Sequence, residues 1–209
     1  MNETPADPAR PVPMLRTENL GHRFPGGGYG IRNVSLAFHS GEFVIIAGRN
    51  GSGKTLLTRH LVGLVKPTEG RVLFREAPAG GNLSRLRSAV GLVFQDADSQ
   101  IVGQTVEDEL RFGPENLGLP EEEIERRVSS LIAYLGMENL KKVPPARLSG
   151  GEKRRLAVGG ILAMEPEILI LDEPFANLDY PGVVDVLRLI TDLQRRGRGI
   201  ILITHELEK

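Results

Sequence analysis

Gly48-Arg49-Asn50-Gly51-Ser52-Gly53-Lys54-Thr55, entered directly from the apolar run Phe43-Val44-Ile45-Ile46-Ala47, decides how this chain folds. The stretch fits G-x-x-x-x-G-K-[ST], and its surroundings supply the context that pattern requires, a strand before it and a helix after it. The apolar run is continuous, as expected of a strand buried on both faces, and the helix is expected to run through about Leu64. Glycines at Gly48, Gly51 and Gly53 let the backbone wrap closely around a polyphosphate, with Arg49, Asn50 and Ser52 adding their N–H groups to the cradle. Lys54 then reaches the β- and γ-phosphates, and Thr55 offers a hydroxyl to Mg²⁺. A chance glycine turn before a helix is the bland alternative, and the flanking strand and helix weigh against it.

Outward from that loop, the next signal is Ile168-Leu169-Ile170-Leu171-Asp172-Glu173, a buried strand ending in two carboxylates. Ligands of α/β sheets bind at the carboxyl ends of strands. Asp172 is therefore placed to hold Mg²⁺, usually through water, and Glu173 to polarise an attacking water as general base. Two acidic residues closing a strand are by themselves an ordinary solvated turn; beside a phosphate loop they read as part of a nucleoside triphosphatase. The third signal is Leu148-Ser149-Gly150-Gly151-Glu152, followed by Lys153-Arg154-Arg155-Leu156-Ala157. Ser149 and Glu152 have the spacing of a capping box, which marks a helix N-terminus with free N–H groups and a second place suited to an anion. A capping box alone only starts a helix.

Residues 1–13 carry Pro5, Pro8, Pro11 and Pro13 among small and charged residues. That composition buries little, so they are expected to be a flexible lead-in to a domain running over 14–209. From Met14 the chain turns strand-like, and the Pro25-Gly26-Gly27-Gly28 turn before Val34–Phe38 predicts antiparallel strands. A helical insert is expected over about 96–158. Ile124, Val128, Leu131, Ile132 and Leu135 share one helix face there, and Pro120 with Glu121–Glu123 suits the start of that helix. After Gly159 buried strands return around a helix whose apolar face is read as Val183, Val184, Leu187, Ile190 and Leu193. The predicted architecture is α/β, a P-loop NTPase core with an antiparallel β subdomain and an inserted α-helical subdomain.

Composition narrows the function classes. Among 209 residues, 26 Lys and Arg stand against 27 Asp and Glu, which is not the basic footprint of a dedicated nucleic-acid binder, and no nucleic-acid partner is expected. With no cysteine in the chain, any metal must be held by oxygen or histidine. The longest apolar runs fall far below the ~20 residues a membrane-crossing helix needs. The N-terminus lacks the charged start and apolar segment of a secretory signal, so export is not expected.

Taken together, these strings resemble the ATP-binding cassette family from about Leu15 to the C-terminus, and Leu148-Ser149-Gly150-Gly151 is that family's hallmark. The resemblance implies an ATPase that uses ATP and Mg²⁺ and works with a second ATPase subunit, as a homo- or heterodimer. Ser149, Gly150 and Gly151 of one chain would contact the γ-phosphate of ATP held by the other. Further roles carry over by order and context. Gln95, in Val93-Phe94-Gln95, is similar to the glutamine that senses Mg²⁺ and water and links the insert to the core; without its neighbours it would be a plain loop residue. His205, after Thr204, resembles the histidine that contacts the γ-phosphate, a catalytic role. Asp179, in Asn177-Leu178-Asp179, matches the segment that communicates between the two sites. Phe24, just before Pro25, matches the aromatic that stacks on adenine, with Tyr29 close by in sequence and Arg16 or Arg23 as further candidates.

A finer resemblance runs from Val93 to Val102 and from Thr105 to Leu119. It is to the ATPases of energy-coupling-factor transporters and the related cobalt and nickel importers, in which this stretch forms part of a groove for a helix of a transmembrane partner. It implies the motor of a membrane importer for a metal ion or vitamin. Such a motor sits peripherally on the cytoplasmic face of the cell membrane with transmembrane transporter subunits. A soluble cassette ATPase acting on nucleic acid or ribosomes is the competing reading, and the long coiled-coil insert or second cassette it would need is not in the sequence. Glu173 and His205 argue against a regulator that barely hydrolyses. Family members usually continue past the histidine with a helix and further strands, so the end at Lys209 reads as shortened, or else as that of an unusually small subunit.

Overall fold

The computed structural model describes residues 12–176 and 178–205. Asn177, the end of the chain after His205 and nearly all of the expected lead-in lie outside the described residues.

Two four-stranded sheets form the frame. In the first, β1 (Leu15–Arg23) pairs antiparallel with β2 (Tyr29–Phe38) and with β4 (Glu69–Phe74), which carries the short β5 (Ala77–Pro78) at its edge. In the second, β3 (Phe43–Ala47), β8 (Gly199–Thr204), β7 (Ile168–Asp172) and β6 (Val90–Val93) lie side by side, all parallel. Parallel neighbours need crossover connections, supplied here by α1 (Lys54–Leu61), α2 (Leu83–Ala89), the helices after β6, and α6 (Tyr180–Arg195).

β7 shows how the layers are built. Ile168 and Ile170 face a core shared with Leu15, Leu20, Phe38 and Leu61, while Leu169 and Leu171 face a second core with Val158, Val186, Ile190 and Ile200. Such a strand reads as an unbroken apolar run because both faces are covered. β3 has the same kind of sequence and a different fate. Val44 and Ile46 pack on the first core, but Phe43 and Ile45 are exposed, Ile45 by 50%. The expectation of burial on both faces is therefore corrected: β3 is the edge strand of the described sheet, and the core built by α6 reaches β7 and β8 without reaching β3.

The insert has its own core. α3 (Val106–Asn116) and α4 (Glu121–Tyr134) bury Val106, Leu110, Ile124, Val128 and Ile132 together with Leu148 and Leu156. α5 (Gly150–Leu162) belongs to both bodies, since Leu156 lies in the insert's core and Val158 and Leu162 in the second core of the sheet. Residues 96–105 of the expected helical region contain no helix.

Two helix readings shift. α1 ends at Leu61 rather than Leu64 because Gly63 adopts φ 67°, the left-handed conformation with which helices commonly stop. On α6 the buried stripe is Val186, Ile190 and Leu193 with Leu189 against it, an i, i+3, i+4, i+7 set, whereas Leu187 is 44% exposed. The helix is rotated from the face read off the sequence.

Candidate functional site

The carboxyl ends of β3, β7 and β8 bring the loop and the acidic residues together. The Gly48 N–H donates to the Thr204 carbonyl at 3.2 Å, tying the start of the loop to the end of β8. Gly51 and Gly53 have φ of 80° and 91°, values a side chain rarely tolerates. At Gly53 space forbids one as well, because a Cβ would lie 2.5 Å from the Gly30 carbonyl oxygen and 2.6 Å from Ile31. No side chain caps α1, so the N–H groups of its first turn are left to a ligand or solvent. Lys54 Nζ donates to the carbonyls of Gly48 and Arg49, at 2.6 and 3.0 Å.

Asp172, at the end of β7, is 3% exposed and lies beside Thr55. Burial pushes its pKa up and the neighbouring Glu173 adds to this, against the Thr55 hydroxyl and the charges of Lys54 and Arg59. Its Oδ1 is buried with no hydrogen-bond partner among the described residues. An orphaned carboxylate oxygen beside a hydroxyl is a hard oxygen donor set, which fits Mg²⁺.

Glu173 follows with φ 49°, an uncommon conformation for a residue with a side chain, and is held there by its N–H donating to the Ile203 carbonyl at 3.0 Å. Its buried Oε1 lies 2.7 Å from His205 Nδ1. A carboxylate fixed by its backbone and touching an imidazole is equipped to orient water and shuttle a proton.

Ser149 begins α5 as the spacing predicts. Its hydroxyl accepts from the Glu152 N–H at 3.3 Å, and the Glu152 carboxylate accepts from the Ser149 N–H at 2.7 Å, a contact that lowers the glutamate's pKa. A Cβ at Gly150 or Gly151 would meet nothing within 4 Å among the described residues. Leu148 anchors this segment in the insert's core, whereas α1 stands on the first core of the sheets.

The other expected site residues are more scattered. Phe24 is half exposed, edge-on to His22 at 5.2 Å, and its ring carbons lie 3.0 Å from where a Cβ on Gly30 would stand. Since the Gly30 carbonyl also closes on Gly53, the ring sits beside the start of α1. Tyr29 instead donates its hydroxyl to Glu69 and lies under Arg32, and Arg16 is paired with Glu18 and Glu76. Asp179 caps α6 by accepting from the Gly182 N–H at 3.0 Å. Gln95 follows β6 and is exposed.

Two residues outside the expected set hold Gln95. Arg154 of α5 donates to the carbonyls of Phe94 and Gln95, and Gln100 accepts from the Phe94 N–H. The available signal was Arg154 itself, a charge one helical turn before Val158 on the buried side of α5.

A family model of ABC transporters matches residues 31–176. The energy-coupling factor transporter ATP-binding protein EcfA of Methanocaldococcus jannaschii is 42% identical over 198 residues, 93% of this chain and 71% of the relative. EcfA1 of Methanospirillum hungatei is 42% identical over 196 residues, covering 93% of this chain and 71% of its own length. The solved structure of cbiO1 from Clostridium perfringens, part of the ABC transporter complex cbiONQ, superposes with a TM-score of 0.84 at 38% identity over 94% of this chain and 80% of that one.

Proposed function

The chain belongs to the ABC transporter family of ATP-binding proteins, and on that premise we propose that it is the ATP-hydrolysing motor of an energy-coupling-factor-type importer of a metal ion or vitamin. The observation that carries this reading is the combination, in one chain, of the Gly48–Thr55 loop over Asp172, Glu173 and His205 with the open Ser149-Gly150-Gly151 helix end. Its support is a likeness to transporter ATPases that spans nearly the whole chain.

In this reading the loop and the α1 N-terminus bind the polyphosphate, Lys54 leaves its carbonyls for the phosphates, and Phe24 stacks on the adenine. Thr55 and Asp172, with Gln95, would hold Mg²⁺, which supplies neutralisation of phosphate charge when bound. Glu173 orients the attacking water and His205 contacts the γ-phosphate. The Ser149-Gly150-Gly151 end, on the helical insert, closes on the nucleotide of a second ATPase subunit, with Asp179 in the segment between the two sites. The dimer works on transmembrane subunits from the cytoplasmic face of the membrane, as a peripheral protein. Among the described residues no helix is long and apolar enough to cross a membrane, so that attachment would come through partners.

The test is to express the tagged full-length protein in its native host, solubilise the membranes and identify what co-purifies. An integral membrane protein together with a small substrate-binding membrane protein is expected. DNA, ribosomes or cytosolic proteins alone would overturn the importer reading.

A further inference from the structure

Arg154 lies in the second turn of α5, 4% exposed, and places its guanidinium across two successive carbonyls of the loop after β6. Nη1 donates to the Phe94 oxygen at 2.8 Å and Nη2 to the Gln95 oxygen at 2.6 Å. Gln100 completes the attachment: its Oε1 accepts from the Phe94 N–H at 2.8 Å, and its Nε2 donates to the Ala157 carbonyl of α5 at 3.3 Å. Both polar groups of the Phe94 backbone are therefore tied to α5, one directly and one through a single side chain. Where α5 goes, Gln95 must follow.

The residue type suits the task. A guanidinium presents five donors in a rigid planar fork and can span adjacent carbonyls, whereas an ammonium is a point charge. The placement is also unfavourable without a purpose. Among the described residues no carboxylate forms an ion pair with Arg154, its Nε has no partner, and burial pushes its pKa down against the charge of Asp96. Burying an unpaired charge is costly, and an apolar residue would pack the same position without that cost.

We propose that Arg154 is a positioning residue that couples the two nucleotide sites of the dimer. When the N-terminus of α5 closes on ATP held by the second subunit, Arg154 draws the Gln95 loop toward the nucleotide of its own subunit. This rests on the cassette reading above, which gives Ser149 its role across the dimer and Gln95 its role within the chain. The route is a contiguous run of hydrogen bonds, the physical kind of link through which coupling can travel.

Hydrogen–deuterium exchange on the full-length protein carrying Glu173→Gln, which is expected to retain ATP, reads both ends of this link. In that parent, ATP is expected to slow exchange about tenfold at 149–152 and at 94–100. Arg154→Met should keep the protection at 149–152 and lose it at 94–100, with ATP affinity within about twofold, and Arg154→Lys should restore part of it. With Glu173 intact, Arg154→Met should lower kcat about tenfold while KM stays nearly constant. Protection of both segments in Arg154→Met, or an unchanged kcat, overturns the proposal. If circular dichroism shows Arg154→Met unfolded, Gln100→Met carries the same expectation in weaker form, and unaltered exchange at 94–100 in that variant overturns it. Failure of the underlying reading looks different: the Glu173→Gln parent would gain no ATP-dependent protection at 149–152, which removes reading and proposal together.

Discussion

The N-terminus of α1 is packed against its own chain, whereas the first two glycines of α5 have open space around them among the described residues. At α1, Gly53 is hemmed in by Gly30 and Ile31, Lys54 lies on the carbonyls of its own loop and Thr55 stands beside Asp172. At α5, Ser149 and Glu152 cap the helix by themselves, and none of the described residues stands within 4 Å of a Cβ at Gly150 or Gly151. Positive φ accounts for Gly51 and Gly53, with crowding inside the chain added at Gly53 alone. Neither accounts for the second pair, and a ligand arriving with another subunit would.

The largest expected effect tests that division directly. Lys54→Ala should weaken ATP binding by about 100-fold or more, since it removes the charge that the proposed site would pair with the phosphates. Ser149→Arg should leave binding to the single subunit within about threefold yet stop ATP-driven dimerisation, read by light scattering. If both variants lost nucleotide equally, the α5 end would belong to the same site as α1 and the contrast would collapse.

Next in size is Glu173→Gln, which should lower ATP turnover by about 10²- to 10⁴-fold while nucleotide affinity is retained. Equal turnover would end the assignment of Glu173 as general base.

Smaller, and purely structural, is a pair of alanine substitutions. Gly53→Ala meets both a positive φ and a carbonyl at 2.5 Å, so thermal or denaturant unfolding should report a loss of about 1–3 kcal/mol. Gly150→Ala meets neither, and its stability should stay within about 0.5 kcal/mol. A comparable loss in both would mean that the α5 end is packed in a way the structure does not contain.

The smallest effect is one of pH and concerns α1 alone. His60, in its last turn, is buried, with Nδ1 2.9 Å from the Val65 carbonyl and its ring 5.1 Å from that of His22. Burial lowers its pKa, opposed by the Val65 contact and aided by His22. Below the ordinary histidine range near 6.5 the unfolded chain therefore takes up a proton that the folded chain resists, and stability falls as pH falls. The urea midpoint should drop between pH 7.5 and 5.5, and His60→Gln should reduce that drop. An equal drop in the variant would assign the titration elsewhere.

Much of this was legible in the order of residues. The strand, the glycine loop and the helix of the proposed phosphate site lie where Phe43–Leu61 puts them, and the capping box at Ser149 forms as its spacing predicts. These features depend on neighbours within a few positions, so a linear reading suffices. The one-sided burial of β3 was not legible, because an apolar run looks the same whether or not another element covers its second face, and here α6 stops short. Nor was the rotation of α6, since Val183, Val184 and Leu187 satisfy a helical period as well as Val186 and Leu189 do.

By itself, then, the sequence determined the local pieces: which glycine loop joins a strand to a helix, which strand ends in carboxylates, which helix begins with an open, self-capped turn. Tertiary structure alone decided what those pieces touch. Thr55 meets Asp172 and Glu173 meets His205 only because β3, β7 and β8 are parallel neighbours that end on the same side. Arg154 grips carbonyls 59 and 60 residues away in the chain, a contact that no local pattern encodes because it exists only once α5 has packed against β6.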